Sequence, residues 1–151
     1  MNNLEIPVGT SDFAEIRQNG YYYVDKTVLI SELLKTASNK VTLITRPRRF
    51  GKSLGMSMLE NFFDIRKDSR TLFAGLEISQ NKALCDEWMN QYPTISVSFS
   101  RVFGLNYTKA YDMLTMVIAD LFNKHLYLER GQILKIAHLS TSLMDVPLKK
   151  K

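Results

Sequence analysis

The sequence contains one cysteine, Cys85, so no disulfide framework can staple the fold and no second thiol can complete a metal site. A reducing, cytoplasmic setting is the expectation that follows. The N-terminus, Met1-Asn2-Asn3-Leu4-Glu5, lacks the basic and then apolar run of a signal peptide. No apolar stretch approaches the roughly 20 residues needed to span a bilayer, so no membrane partner is expected. The two histidines, His125 and His138, have no clustered carboxylate or thiol beside them and read as packing or surface residues rather than metal ligands. Ser, His and Asp are all present, but none sits in a local context such as a nucleophile elbow. No repeat or low-complexity linker divides the chain, which predicts one domain over residues 1–151.

What is present is an ordinary globular composition. With 151 residues, 45% of them hydrophobic, the chain can bury one proper core. Twenty Lys and Arg against 15 Asp and Glu leave a net charge of +5, which suits anionic ligands such as nucleotides or nucleic acid. Part of that excess is the terminal Lys149-Lys150-Lys151, read as solvated.

Hydrophobic spacing predicts the elements. Ser11 is placed to cap a short helix through Ile16 that Gly20 closes, and Asp25 to cap a second helix from Lys26 to about Thr36. Val41 to Thr45 is apolar on both faces, as in a central parallel strand, and Thr94 to Ser100 alternates as a second strand. Leu54, Met58, Leu59, Phe62 and Phe63 form the stripe of a helix between them. Further helices are expected from Asn81 to Asn90, from about Tyr107 to Tyr127 and from Ile133 to Leu139, with a tight apolar turn at Leu72 to Leu76. Strand, helix, connection, strand and long helix in this order predict an α/β fold: an incomplete three-layer parallel sheet with flanking helices, of the P-loop NTPase type.

The stretch joining the first strand to its helix carries the chemistry. Arg46-Pro47-Arg48-Arg49-Phe50-Gly51-Lys52-Ser53-Leu54 ends in a Gly-Lys-Ser that by itself is weak, but here it follows an apolar strand and opens an amphipathic helix. In that setting backbone N–H groups converge on phosphate oxygens, the Lys52 ammonium reaches the terminal phosphates, and the Ser53 hydroxyl ligates Mg²⁺. Pro47 offers no N–H, which leaves the donors of Phe50, Gly51, Lys52 and Ser53. Arg48 and Arg49 either add charge beside the β- and γ-phosphates or face solvent or nucleic acid. The usual pattern has a glycine where this chain has Arg46.

The run from Arg46 to Ser53 resembles the signature of the AAA-ATPase-like family, bacterial P-loop proteins often carrying a C-terminal PD-(D/E)XK nuclease-like domain. Ile6-Pro7-Val8-Gly9 with Asp12-Phe13, Tyr23-Val24-Asp25-Lys26-Thr27, and Leu72-Phe73-Ala74-Gly75-Leu76 ahead of Trp88 and Tyr92-Pro93 carry the same resemblance over about the first 100 residues. The resemblance implies that the Arg-Pro opening is the normal form. It also implies an ATP (or GTP) and Mg²⁺ site whose phosphate, ammonium and magnesium duties fall to Gly51, Lys52 and Ser53, with Ser53 as the metal ligand; Arg48, Arg49, Phe50 and Leu54 complete the candidate loop. By analogy with related ATPases, Tyr23 to Lys26 would lie near the adenine; the alternative is that the tyrosines are core and Asp25 a cap.

Hydrolysis normally needs an acidic residue ending a second apolar strand, and no such run is present: the second strand reads Ile95-Ser96-Val97-Ser98-Phe99-Ser100-Arg101. In the family the acidic strand comes later, so the expectation is an N-terminal portion holding the Walker A half of an ATPase domain, without the Walker B strand or the C-terminal domain. Asp145 would cap a helix that is cut short. Two rival readings accompany it: a nucleic-acid-binding module using Arg46, Arg48 and Arg49, and an inactive truncated remnant whose exposed sheet edge drives self-association.

Overall fold

The computed structural model describes residues 5–35 and 41–128. These fall into two compact units, one within Met1–Ser96 and the other within Val97–Lys151.

The first unit is a set of short helices around an aromatic core. Helix α1, Phe13–Gln18, is capped one residue later than the sequence predicts: Asp12 rather than Ser11 accepts from the amides of Ala14 (2.8 Å) and Glu15 (3.3 Å). It ends as expected at Gly20, whose φ of 66° lets the amides of Gly20 and Tyr21 bond back to Arg17 and Ile16. Helix α2 spans Val28–Lys35, and helix α3 spans Lys52–Phe63. Helix α4, Arg70–Phe73, forms the predicted apolar turn together with Gly75; Arg17 holds its end by donating to the carbonyls of Leu72 and Ala74, both at 2.8 Å. A 3₁₀ turn, Glu77–Gln80, precedes helix α5, Lys82–Trp88, which Asn81 caps.

Phe13, Ile30, Met58, Phe62, Leu72, Phe73, Leu76, Ile78 and Met89 make one buried cluster. Its rings interlock: Phe13 and Phe73 lie 4.8 Å apart, and Phe62 meets Phe73 edge-on at 5.3 Å. The predicted stripe of α3 thus faces this core through Met58 and Phe62, with Leu54, Leu59 and Phe63 packed at its margin. The α1 helix lies against α3, and the Phe13 amide donates to Ser57 Oγ at 3.0 Å.

The C-terminal end of α3 is tied down by polar groups. Asp64 is fully buried and takes Arg66 Nε on both carboxylate oxygens, at 2.9 and 3.1 Å. Asn90 sits at φ 57°, a left-handed position that asparagine tolerates. From there its side chain donates to the carbonyls of Asn61 (3.0 Å) and Asp64 (2.9 Å) and accepts from the Ser69 amide (3.0 Å). Beside it the Trp88 and Tyr92 rings stack at 5.0 Å.

The expected parallel sheet is not formed. Among the described residues the sole β-type pairing is an isolated parallel bridge between Asp64 and Tyr92, and the fold is helical, which overturns the α/β three-layer prediction. Val41 and Leu43, read as a covered strand, are 84% and 83% exposed, and Ile95 and Phe99 of the second segment are 54% and 59% exposed. Their β-branched and alternating residues fit a pleated surface, but that preference becomes a strand only where a neighbour completes the ladder. Neither segment has such a neighbour among the described residues.

The second unit is described mainly by helix α6, Tyr107–Lys124, capped by Asn106, and a 3₁₀ turn, Leu126–Leu128. These match the predicted helix to within a few residues. Its apolar face is only partly covered, with Leu114, Val117 and Leu121 half-buried and Tyr111 and Phe122 exposed. His125 is buried, its Nδ1 lying 3.2 Å from the Tyr127 hydroxyl. The predicted helix from Ile133 to Leu139 and the Asp145 cap lie outside the described residues. No helix among those described is long and apolar enough to cross a membrane.

Candidate functional site

The predicted phosphate and metal residues, Arg48 to Leu54, lie at the start of α3, on the turn that links the Val41–Thr45 segment to the helix. Gly51 is the N-cap, in left-handed geometry (φ 81°, ψ 21°), and no side chain caps the helix. Leaving those first amides without a side-chain acceptor keeps their partial positive charge available to an anion. Arg49 also has a positive φ, 66°, whereas Phe50 between them does not. Alternating backbone hands are the pattern from which anion-binding nests are built.

The side chains add charge. Arg46, Arg48, Arg49 and Lys52 are all exposed, and none of them has an ion pair among the described residues. Lys52 folds back on the loop: its ammonium donates to the carbonyls of Arg46 (2.5 Å) and Pro47 (2.8 Å). Ser53 is exposed in the first turn, and Leu54 packs against the core and anchors the helix start.

Sequence reasoning put Tyr23 to Lys26 near the adenine by analogy and did not place Lys26 at the Gly51 turn itself. Its ammonium lies 5.8 Å from the centre of the Phe50 ring, and the Arg46 guanidinium lies 5.9 Å from the same ring. A Cβ added at Gly51 would stand 3.5 Å from Lys26 Nζ. Two neighbours bring Lys26 there. Asp25 Oδ1 accepts from the Thr27 amide (2.8 Å) and hydroxyl (2.7 Å), while Oδ2 accepts from the Glu77 amide (2.8 Å). Thr27, fully buried, in turn accepts from the Ile78 amide at 3.2 Å.

Asp25 is therefore a tertiary clamp rather than merely the predicted cap. Burial pushes its pKa up, but the hydrogen bonds from Glu77 and Thr27 outweigh that and hold the carboxyl below its ordinary range. Tyr23 packs on the core with its hydroxyl 3.3 Å from Met58 Sδ, and burial raises its pKa.

The donor set fits a polyphosphate: uncapped amides, an ammonium beside them and guanidinium groups at the rim. For Mg²⁺ the chain offers the exposed Ser53 hydroxyl. Among the described residues no three of His, Cys, Asp and Glu cluster as a metal site of their own. A separate cavity of about 270 Å³ is lined by Arg70, Phe73, Lys82, Cys85, Asp86 and Met89, and by none of the loop residues.

Comparison with known proteins places the chain among relatives. A family model described as Predicted AAA-ATPase matches residues 7–146. A protein of Azotobacter chroococcum mcd 1, described as an uncharacterized protein in the vnfD 5'region, is 34% identical over 100 residues, which cover 66% of this chain and 18% of that protein. The chain thus spans less than a fifth of that relative's length. No solved structure matches it significantly.

Proposed function

Because this chain belongs to the predicted AAA-ATPase family, we propose that it binds ATP or GTP, with Mg²⁺, at the turn from Arg46 to Leu54. The observation that carries this reading is the glycine-capped start of α3, where Gly51 leaves the first amides without a side-chain acceptor and Lys52 follows at once. In it the amides of Phe50, Gly51, Lys52 and Ser53 hold phosphate oxygens, Arg48 and Arg49 add positive charge at the rim, and Ser53 Oγ ligates the metal. A Mg²⁺ ion held by Ser53 would supply neutralisation of phosphate charge.

Lys52 has a defined change to make. Its ammonium satisfies the carbonyls of Arg46 and Pro47, and on binding it exchanges these neutral acceptors for a phosphate oxygen. That exchange gains the Coulomb attraction between the ammonium and the phosphate charge, which neutral carbonyls do not offer. Pro47 stiffens the carbonyl side of the loop, so the lysine moves rather than the backbone.

Titration calorimetry with Mg-ATP tests the reading. Saturable binding that Lys52→Ala weakens at least tenfold is expected; no binding, or none of it sensitive to Lys52, overturns it. Exposed, unpaired Arg46, Arg48 and Arg49 favour a second reading, contact with nucleic-acid phosphates. That binding would fall steeply with salt and persist in the presence of ATP.

A further inference from the structure

The residues on either side of Lys26 are committed to the body of the first unit. Asp25 is tied to Thr27 and to the Glu77 amide, and Thr27 to the Ile78 amide, which fixes the backbone at residue 26 against the 3₁₀ turn Glu77–Gln80. The Lys26 side chain itself is exposed and enters no ion pair among the described residues, although a carboxylate stands next to it in sequence. Both oxygens of that carboxylate are occupied by backbone and hydroxyl donors. Lys26 instead reaches the phosphate turn, beside Phe50 and next to where a Cβ at Gly51 would lie.

A structural role alone explains this poorly. Packing on Phe50 is available to any apolar residue, whereas Lys26 brings a fifth cation to a turn that already carries Arg46, Arg48, Arg49 and Lys52. Like charges gathered without a carboxylate between them repel, and an anion at their centre reverses the sign of that energy. The two ammonium groups also differ in readiness. Lys52 is held by two loop carbonyls, whereas among the described residues the Lys26 ammonium meets the face of an aromatic ring and no carboxylate.

We propose, resting on the nucleotide reading above, that Lys26 is a second phosphate-binding ammonium of this site, contacting the β- or γ-phosphate beside Gly51, with Asp25 and Thr27 as its positioning residues. It recognises the polyphosphate and not the base. Its contribution therefore grows with the number of phosphates, and it meets the ligand before Lys52 has left the loop carbonyls.

The test is titration of the full chain with Mg-ATP, Mg-ADP and adenosine, for the native sequence and for Lys52→Ala, Lys26→Met and Lys26→Arg. Methionine keeps the stem that packs on Phe50 and removes only the charge, and the melting temperature of each variant checks that the fold is kept. Lys26→Met is expected to weaken Mg-ATP about tenfold or more, Mg-ADP less, and adenosine not at all, with Lys26→Arg restoring most of the loss. Equal losses for all three ligands would assign Lys26 to shaping the loop and overturn the proposal. So would unchanged Mg-ATP affinity in Lys26→Met while Lys52→Ala abolishes binding, and the nucleotide reading would then stand alone. Absence of binding in the native chain, or indifference to Lys52→Ala, would remove the nucleotide reading and this proposal with it.

Discussion

The two ends of helix α3 are built on opposite principles. At the C-terminal end Asp64 is buried against Arg66, and Asn90 connects three backbone groups through one side chain. At the N-terminal end there is no side-chain cap, Gly51 holds a left-handed turn, and exposed cations stand without carboxylates. Satisfied polar groups stabilise the fold; unsatisfied ones are available to a ligand. One helix therefore separates the two tasks by its own length, and substitutions at its ends should separate stability from binding.

The largest effect belongs to the core between them. Phe62 is fully buried and meets both Phe63 and Phe73 edge-on, so Phe62→Ala should cost about 4 kcal/mol, read as a lower urea midpoint. A loss below about 1 kcal/mol would mean that the aromatic cluster can collapse around the gap. Next is Arg66→Met, which strands the Asp64 carboxylate. Because Arg66 is one-third exposed, water can partly replace it, and about 2 kcal/mol is expected rather than the full value of a buried pair.

That variant also has a pH signature. Burial raises the Asp64 pKa, but Arg66 more than offsets this, and both Asp64 and Asp25 titrate below the ordinary carboxylate range. A depressed folded pKa gives stability that is complete above the unfolded value of about 3.9 and is lost as pH falls through the lower folded value. The native chain should therefore hold its fold to below about pH 4. Arg66→Met should move the acid transition to higher pH, measured by circular dichroism.

The helices were legible in the sequence, whereas the sheet it predicted is not formed among the described residues, for a physical reason. The spacing of Met58 and Phe62, or the cap at Asn81, is a local property that a window of residues contains. A strand at Val41–Thr45 depends on a neighbour that no window contains, and its exposed backbone lacks one among the described residues. The turn from Arg46 to Leu54 could be singled out in the sequence because its groups are contiguous. Lys26, put near the adenine by analogy, could not be placed beside Gly51 from the sequence, because Asp25 and Thr27 bring it there through the Glu77 and Ile78 amides, some fifty positions away. Asn90 left one faint signal, an asparagine just past a helix end, where left-handed geometry is common.

At smaller amplitude, Asn90→Gly keeps the left-handed turn but removes the three side-chain hydrogen bonds, for about 2 kcal/mol or somewhat less, with nucleotide affinity unchanged at temperatures where the fold persists. Gly51→Ala forces a side chain into φ 81°, costing about 1 kcal/mol in stability but far more in Mg-ATP affinity, since it bends the amides off target. Arg49→Gly is expected to be the mildest for stability, within about 0.5 kcal/mol, because relief of a positive φ offsets the greater freedom of the unfolded chain. Stability changes as large as those of Phe62→Ala at either loop position would break the division between the two ends.

The stacked Trp88–Tyr92 pair gives these experiments an internal reporter. Trp88 is the sole tryptophan of the chain, and it lies in the first unit, one step from Asn90 and the end of α3. Its emission will follow the release of that ring stack in the first unit alone, whereas far-ultraviolet dichroism also reports α6, the longest described helix and a member of the second unit. Coincident curves from the two signals would mark a single cooperative transition, and separated ones would show that each unit melts on its own terms.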